Sequence, residues 1–423
     1  MLNFKIRLNY RSIIHYLLIY LLISFQKGVF ARALGNNFLV LVFVISIVFF
    51  INNLNLIAKY GSFFIMLFLS LYIMMITMLT TGGSLSFMTI MRYIVCFVFV
   101  LVAIKFDEKN FLERYLKLIL FISIISIIAY ELFAILHVNL YSKFYWKDGY
   151  YGLFLFNFNP TSANVMRNIG ISNEPGQFQI IVSSALYFSL FKYKFKTNRK
   201  FLVYVSIFII TLLTVQSTTG YFALLAILLA FIFSKSNNAQ KRKIKYLIMA
   251  SILLGAIYVY MNWGESNFIT SNFINKVFND DFSINLNQNT GGARIESMIA
   301  DLSMARDYPL GMGFELYESL WYEYAPANSG FLSCSGITRD IAIIGFLPVT
   351  VFLVFLIRGF WINRNSSLDF LLGTFLLVNT GLAQTQMLNP CLMLISMYSL
   401  VPFCKLKRRK IVYKTNQICE VRN

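Results

Sequence analysis

The feature that most constrains this chain is the recurrence of long apolar runs along its 423 residues. About 20 apolar residues cross a bilayer as a helix, and lipid leaves few alternatives because it offers no partner to unpaired backbone groups. We therefore predict an all-α integral membrane protein, a polytopic bundle of about 12 transmembrane helices in which residues 1–423 form one transmembrane domain. The predicted spans are 13–30, 38–56, 61–79, 86–104, 116–136, 177–191, 200–216, 219–234, 246–262, 338–357, 367–383 and 386–403.

Charge gives the chain a predicted orientation. The net charge of +19 would suggest a nucleic-acid partner in a soluble protein, but only 13% of the residues are charged. The basic residues collect in alternate connections, which is the positive-inside pattern. We therefore expect the N- and C-termini in the cytoplasm, and anionic lipid rather than nucleic acid beside the basic residues. The clusters are Lys192, Lys194, Lys196, Arg199 and Lys200, then Lys235, Lys241, Arg242, Lys243 and Lys245, and the tail from Lys405 to Lys410.

Two connections on the predicted outer side are long, residues 137–176 and 263–337, and loops of this length usually carry function. The second contains helix signals. Asp307-Tyr308-Pro309 and the turn Gly311-Met312-Gly313 end the helical pattern. We expect an amphipathic helix over 293–306 that lies on the membrane face of the bundle, with four apolar residues at helical spacing: Ile295, Met298, Ile299 and Leu302.

Metal and disulfide chemistry find little support in the sequence. Of five cysteines only Cys334 falls near the outer side, and the two histidines, His15 and His137, are far apart. We predict no disulfide framework, no metal site and no cofactor.

Arg294 is the first candidate for substrate chemistry. It falls in the first turn of the predicted outer helix, after Gly291-Gly292. Free backbone N–H groups at a helix start, together with an arginine, form an anion site. The alternative is a loop arginine that pairs with Asp301, seven residues on and on the same face.

A second candidate group lies in the stretch Arg167-Asn168-Ile169-Gly170-Ile171-Ser172-Asn173-Glu174-Pro175-Gly176-Gln177, which leads directly into a span. Glu174 and Gln177 are therefore expected at the outer membrane surface. A carboxylate there can accept a proton from a sugar hydroxyl. Alternatively, Glu174 caps the helix that begins at Pro175, a role that does not exclude catalysis.

Two charged residues, Arg92 and Glu131, fall inside predicted spans, where a charge is costly and usually functional. They either form a structural ion pair or face a water-filled outer cavity as substrate-binding residues. In the cavity, Arg92 would help to bind a lipid-linked diphosphate, since arginine matches phosphate oxygens bidentately.

Further substrate-binding candidates have ordinary alternatives. Ser217, in the turn Gln216-Ser217-Thr218-Thr219-Gly220, either lines the outer mouth or belongs to a plain tight turn. Arg339 begins a span and could simply anchor it. Tyr317 could stack on a sugar ring, although aromatic residues are also common at the membrane interface.

Three of these stretches carry a family resemblance. GGARIESMIADLSMARDYPLGMGFELY is similar to the core motif of bacterial O-antigen polymerases and ligases, RNIGISNEPGQFQ looks like the Arg-Gly-Glu-Pro-Gly segment of the polymerases, and QSTTGYFALL like their Ser-x-x-Gly helix start. The ligases typically carry a His-Asn pair late in the long outer loop. This chain has Ala327-Asn328 there, a departure that favours the Wzy-type polymerase.

The resemblance implies a glycosyltransferase of lipopolysaccharide biosynthesis in the bacterial inner membrane. It would polymerise undecaprenyl-pyrophosphate-linked oligosaccharide repeat units on the periplasmic face, with a chain-length regulator protein as partner. We expect Arg294 and Arg167 to hold the pyrophosphate and Glu174 to be the base or to orient the acceptor hydroxyl. The alternatives are an O-antigen ligase, which transfers polysaccharide to lipid A core, and a lipid-linked oligosaccharide flippase.

Overall fold

Helices dominate the part of the chain that the computed structural model describes. We number them α1 to α14: Tyr10–Ser24, Val29–Leu34, Asn36–Ile51, Phe87–Phe106, Phe111–Tyr130, Pro175–Tyr187, Asn198–Val215, Thr218–Phe233, Gly291–Asp307, Phe314–Tyr324, Gly336–Ile344, Phe346–Ile362, Ser367–Ala383 and Pro390–Leu400. The described residues are 10–25, 28–52, 71–72, 75, 87–132, 145–147, 150–153, 156–158, 167–172, 174–234, 242–250, 253–254, 291–325, 333, 335–362, 364–383 and 390–400.

Several predicted spans coincide with helices. The prediction for 367–383 matches α13 at both ends, and 86–104 lies within one residue of α4 at its start. The span 61–79 falls almost wholly outside the described residues, and so does most of 246–262. The prediction of one continuous helix over 338–357 is wrong. Gly345, with φ 96°, separates α11 from α12. The residues on both sides of Gly345 are apolar, so hydropathy alone does not show that the helix ends there.

Residues 137–176, the first predicted outer loop, contain a small antiparallel sheet that the all-α prediction did not include. Its strands are β1 (Tyr145–Lys147), β2 (Tyr150–Leu153) and β3 (Phe156–Phe158), in the order β1-β2-β3. The sequence between β1 and β2 is Asp148-Gly149, a pair that favours a two-residue hairpin turn. That signal could have predicted the hairpin.

By length and composition, one described helix, α7, is long and apolar enough to cross a membrane. Shorter apolar helical stretches of 10–17 residues lie in α1, α3, α4, α8, α12 and α13. Large apolar side chains on their surfaces are exposed, among them Val48 on α3, Leu213 on α7 and Val354 on α12. Exposed apolar surface of this extent is consistent with a helical membrane protein.

The chain divides into two compact units: Met1–Val42, Phe99–Ile295 and Asn389–Cys391 form the first, and Phe43–Val98, Glu296–Leu388 and Leu392–Asn423 form the second. In the first unit α6 is the central helix. Every residue from Gln177 to Tyr187 is buried, and α6 packs against α5, α7 and α8. α6 and α8 approach closely at Gly220, where a Cβ would lie 3.1 Å from the Cβ of Gln179.

In the second unit the corresponding element is the short helix α11. All nine of its residues are buried, and it packs against α10, α12 and α13. Nine residues rise only about 14 Å, so α11 is too short to cross a bilayer by itself.

Candidate functional site

In the first unit, the Arg167–Gln177 stretch is fixed to two helices through Asn168. The Asn168 Nδ2 donates to Ser126 Oγ of α5 at 3.1 Å and to Thr214 Oγ1 of α7 at 2.9 Å. Its backbone N–H donates to the Thr214 carbonyl at 3.1 Å, and its Oδ1 accepts from the N–H of Gly170. Arg167, half-buried, is thereby held at the end of α7, close enough to Tyr221 for its charge to act on the phenol.

Glu174 is the N-cap residue of α6, and its side chain is exposed and makes no capping hydrogen bond. Its backbone carbonyl accepts from the N–H groups of Gln177 and Phe178 at 3.1 and 3.2 Å, and Pro175 occupies the first helical position. The residue therefore starts the helix through its backbone, and its carboxylate remains available for other chemistry.

Buried amides surround this end of the first unit. Gln177 is 6% exposed, and its Oε1 has no hydrogen-bond partner among the described residues. Two further buried glutamines, which the sequence analysis did not name as site residues, also have one amide atom without a hydrogen-bond partner among the described residues. Gln179 lies next to Gly220, where α6 and α8 approach closely. Gln216 has a left-handed backbone conformation, with φ 52°, and its Nε2 donates to the hydroxyl of Tyr130 at 3.0 Å. Spacing alone does not distinguish these glutamines from ordinary polar residues.

Ser217 caps α8, because its side chain accepts from the N–H of Gly220 at 3.4 Å. Its hydroxyl also lies 3.1 Å from Thr219 Oγ1. The plain-turn alternative thus describes its local role. Glu131 follows Tyr130 at the end of α5 and is exposed. The structure therefore brings Arg167, Gln177, Ser217 and Glu131 to the same end of the first unit, where α5 and α7 end and α6 and α8 begin.

In the second unit, Asp301 of α9 is the centre of a buried hydrogen-bond cluster. Its carboxylate is 0% exposed and accepts from three hydroxyls: Tyr317 at 2.8 Å, Ser333 at 2.6 Å and Thr338 at 2.6 Å. Burial raises the pKa of Asp301, and the three hydroxyl donors and the charge of Arg339 oppose that shift. Burial also raises the pKa of Tyr317, and the neighbouring Asp301 carboxylate adds to it.

Tyr317 and Arg339, both predicted to bind substrate, meet at this cluster. The Arg339 guanidinium lies 5.6 Å from the ring centre of Tyr317 and 5.3 Å from that of Phe314. Both Tyr317 and Arg339 are buried, at 0% and 7% exposed. Tyr317 packs on Trp321 and offers no exposed ring face for a sugar or for the membrane interface in this structure. Their roles in substrate binding stay predictions.

Helix α9, which the sequence analysis predicted in the second outer loop, begins and ends close to where the sequence predicts. α9 starts at Gly291 and ends at Asp307, and positive φ angles of 95° and 77° at Gly311 and Gly313 form the predicted turn. Arg294 lies in its first turn and Arg92 in α4, and both side chains lie outside the described atoms. The apolar row of α9 faces outward, with Ile299 59% exposed, while Asp301 is on the buried face. Orientation of that row toward a membrane stays a prediction.

Among the described residues, no group of three or more His, Cys, Asp or Glu side chains could hold a metal ion. The stretch with Ala327 and Asn328 lies outside the described residues.

Comparison with known proteins gives one family. No curated protein matches the chain. Residues 201–333 match the family model described as O-antigen ligase, a segment that spans α7 to α10 and includes Ser217, Arg294 and Tyr317. Arg92, Glu131, Arg167, Glu174, Gln177 and Arg339 lie outside it. The match confirms the predicted resemblance: over residues 201–333, this chain is similar to the O-antigen polymerase and ligase superfamily.

Proposed function

We propose that this protein is an O-antigen polymerase, a glycosyltransferase that joins lipid-linked oligosaccharide repeat units into polysaccharide. The family match over residues 201–333, which contains the helix start, Pro309 and the Gly-x-Gly turn, supports a member of the polymerase and ligase superfamily. The observation that carries the choice of polymerase is Ala327, at the position where the ligases typically have histidine. The family match supports lipid-linked oligosaccharide and the bilayer as partners. We propose a chain-length regulator protein as a further partner.

The proposed setting is the bacterial inner membrane, with about 12 spans, both termini in the cytoplasm and the two long loops in the periplasm. The positive-inside distribution of Lys and Arg supports the orientation. Apolar side chains exposed on α3, α7, α12 and α13 support contact with lipid. The outward-facing row Ile295, Ile299 and Leu302 on α9 fits a helix that lies on the membrane surface.

The proposed reaction is transfer of a growing chain to the end of a new repeat unit. A hydroxyl oxygen of the acceptor sugar attacks the anomeric carbon of the donor and forms the glycosidic bond. The bond from that carbon to the phosphate oxygen breaks, and undecaprenyl pyrophosphate leaves with the electron pair. The hydroxyl proton passes to a base, so the step needs charge stabilisation at the diphosphate and a proton acceptor at the hydroxyl.

The candidate residues fit these two needs. Arg294 and Arg167 would hold the diphosphate, with Arg92 assisting, because arginine pairs with phosphate oxygens bidentately. Glu174 would take the proton or orient the hydroxyl, and its exposed, uncapped carboxylate supports that role. Gln177, Gln179 and Gln216 are buried around the same end of the first unit, and each has one amide atom without a hydrogen-bond partner among the described residues.

A second candidate function is the O-antigen ligase reaction, which the description of the matching family favours. Against it, Ala327 stands where the ligases typically have histidine. The third candidate, a flippase, does not explain an outer helix that begins with an arginine and continues into a buried polar cluster.

The residue assignment is tested with Arg294→Ala, and Arg306→Ala is the matched control. Both arginines are on α9, but Arg306 is in the last turn, 78% exposed and paired only with its neighbour Asp307 among the described residues. Each variant is expressed in a host that lacks the gene, and surface polysaccharide is resolved by gel. We expect Arg294→Ala to abolish polymer while the protein still inserts, and Arg306→Ala to keep it. Wild-type chain length in Arg294→Ala would overturn the assignment.

A further inference from the structure

Helix α11 is held at both ends by the segment that contains α9. At its C-terminal end, the N–H groups of Met312 and Gly313 donate to the carbonyls of Ala342 and Ile343 at 3.0 and 2.9 Å. The last carbonyls of a helix have no partner within it, so the Gly-x-Gly turn caps α11. The N–H of Phe346 returns a hydrogen bond to the Pro309 carbonyl at 3.1 Å.

At the N-terminal end of α11, Asp301 takes the place that an anion usually takes at a helix start. Its Oδ2 accepts from Thr338, in the first turn, and from Ser333, two residues before the N-cap residue Ser335. A negative charge is stabilised there by the helix dipole. The Asp301 carboxyl group therefore lies at the start of α11, close to Arg339.

Asp301 lies two helical turns after Arg294 on the same helix. Seven residues rise about 10 Å and return to nearly the same face. The three residues that donate hydroxyl hydrogen bonds to Asp301 lie 16, 32 and 37 residues after it in the chain, outside α9. These bonds therefore fix the rotation and the axial position of α9.

We propose that Asp301 is a positioning residue: by fixing α9 to α11, it sets where Arg294 meets the diphosphate of the substrate. This inference rests on the proposed function. A carboxylate suits the role, because its two oxygens accept all three hydroxyl bonds at once. Asparagine has one acceptor oxygen and presents an NH₂ group to donors, so the cluster must rearrange around it.

The test measures kcat and KM for lipid-linked repeat units with purified protein in liposomes. We expect Asp301→Asn to lower kcat/KM roughly ten- to hundred-fold, since a shift of about 1 Å in a positioning group costs rates of that order. Thr338→Val removes one donor while it keeps the side-chain shape, and we expect a smaller fall in the same direction. Thermal unfolding of each variant shows whether the fold is kept.

A double-mutant cycle with Arg294→Lys separates positioning from general destabilisation. If Asp301 acts through Arg294, Asp301→Asn causes little further loss in the Arg294→Lys background, because the geometry it protects is already lost. Full additivity of the two losses, or wild-type kinetics for a folded Asp301→Asn and Thr338→Val, would overturn the inference. Wild-type kinetics for Arg294→Ala would instead overturn the proposed role of Arg294, so the two failures are distinguishable.

Discussion

Replacing Gly311 by alanine tests the close packing of the Gly-x-Gly turn against α11. A Cβ at Gly311 would lie 2.6 Å from the backbone nitrogen of Gly345 and 2.8 Å from the Ile343 carbonyl oxygen. These are backbone atoms, so neither can rotate away, and the turn must move off α11. Gly35 is the matched control, because it also has a positive φ, 53°, but a Cβ there meets nothing within 4 Å.

The magnitude follows from what each substitution disturbs. Alanine in these sparsely populated positive-φ conformations costs about 1–3 kcal/mol at either site. At Gly311 the displaced turn also loses three backbone hydrogen bonds, those between Met312 and Ala342, Gly313 and Ile343, and Phe346 and Pro309. Each is worth about 1 kcal/mol net. We therefore expect Gly311→Ala to cost about 4–6 kcal/mol, against about 1–3 kcal/mol for Gly35→Ala.

The assay is thermal unfolding of the detergent-purified variants, followed by near-ultraviolet circular dichroism. We expect the Tm of Gly311→Ala to fall several degrees below that of Gly35→Ala. Equal Tm values for the two variants would refute the idea that the turn and α11 are locked together by this contact.

Three further predictions concern other residues. Glu174→Gln should lower polymerisation at least about 100-fold with an unchanged Tm, because its side chain makes no capping bond; activity within a few-fold of wild type would remove it as the base. Arg114→Ala should destabilise the protein by about 1.5–3 kcal/mol, since Arg114 joins His15 and Asp107, each at 2.7 Å. The exposed pair of Lys117 with Glu113 gives the control, Lys117→Ala, which should cost under about 1 kcal/mol by the same thermal assay. Finally, burial raises the folded-state pKa of Asp301, so its protonation favours the fold below the unfolded value of about 4, and this contribution is lost as pH rises through the raised pKa. The Tm of wild type relative to Asp301→Asn should therefore rise as pH is lowered from neutral toward about 4; a pH-independent difference would contradict this.

The outer helix was predictable because its ends are marked locally. Gly291-Gly292 opens α9, and Pro309 and Gly311 close it, within one or two residues of the observed bounds. Glycine and proline restrict backbone conformation by themselves, so a single sequence is enough to place them.

The cluster around Asp301 was not predictable in the same way. The sequence placed Asp301 on a helix face and offered Arg294 as its partner, but the observed donors come from distant positions in α10, α11 and the segment before α11. The apolar row of α9 was expected to face the membrane, and Ile295, Ile299 and Leu302 are exposed while Asp301 is buried. In a membrane protein, lipid takes the apolar face, so amphipathicity does not identify the side that contacts protein.

The break at Gly345 was missed because its flanks are as apolar as any span. Only the tertiary contact explains it: a Cβ at Gly345 would lie 2.5 Å from the Leu310 carbonyl oxygen. That contact joins residues 35 positions apart, which no local pattern encodes.

The most direct test of the proposed function is made with the purified protein in liposomes and lipid-linked repeat units as the sole sugar substrate. We predict a ladder of saccharides of increasing length, with release of one undecaprenyl pyrophosphate for each unit added. Absence of the ladder, together with transfer of sugar to added lipid A core or movement of intact substrate across the liposome, would contradict the polymerase assignment.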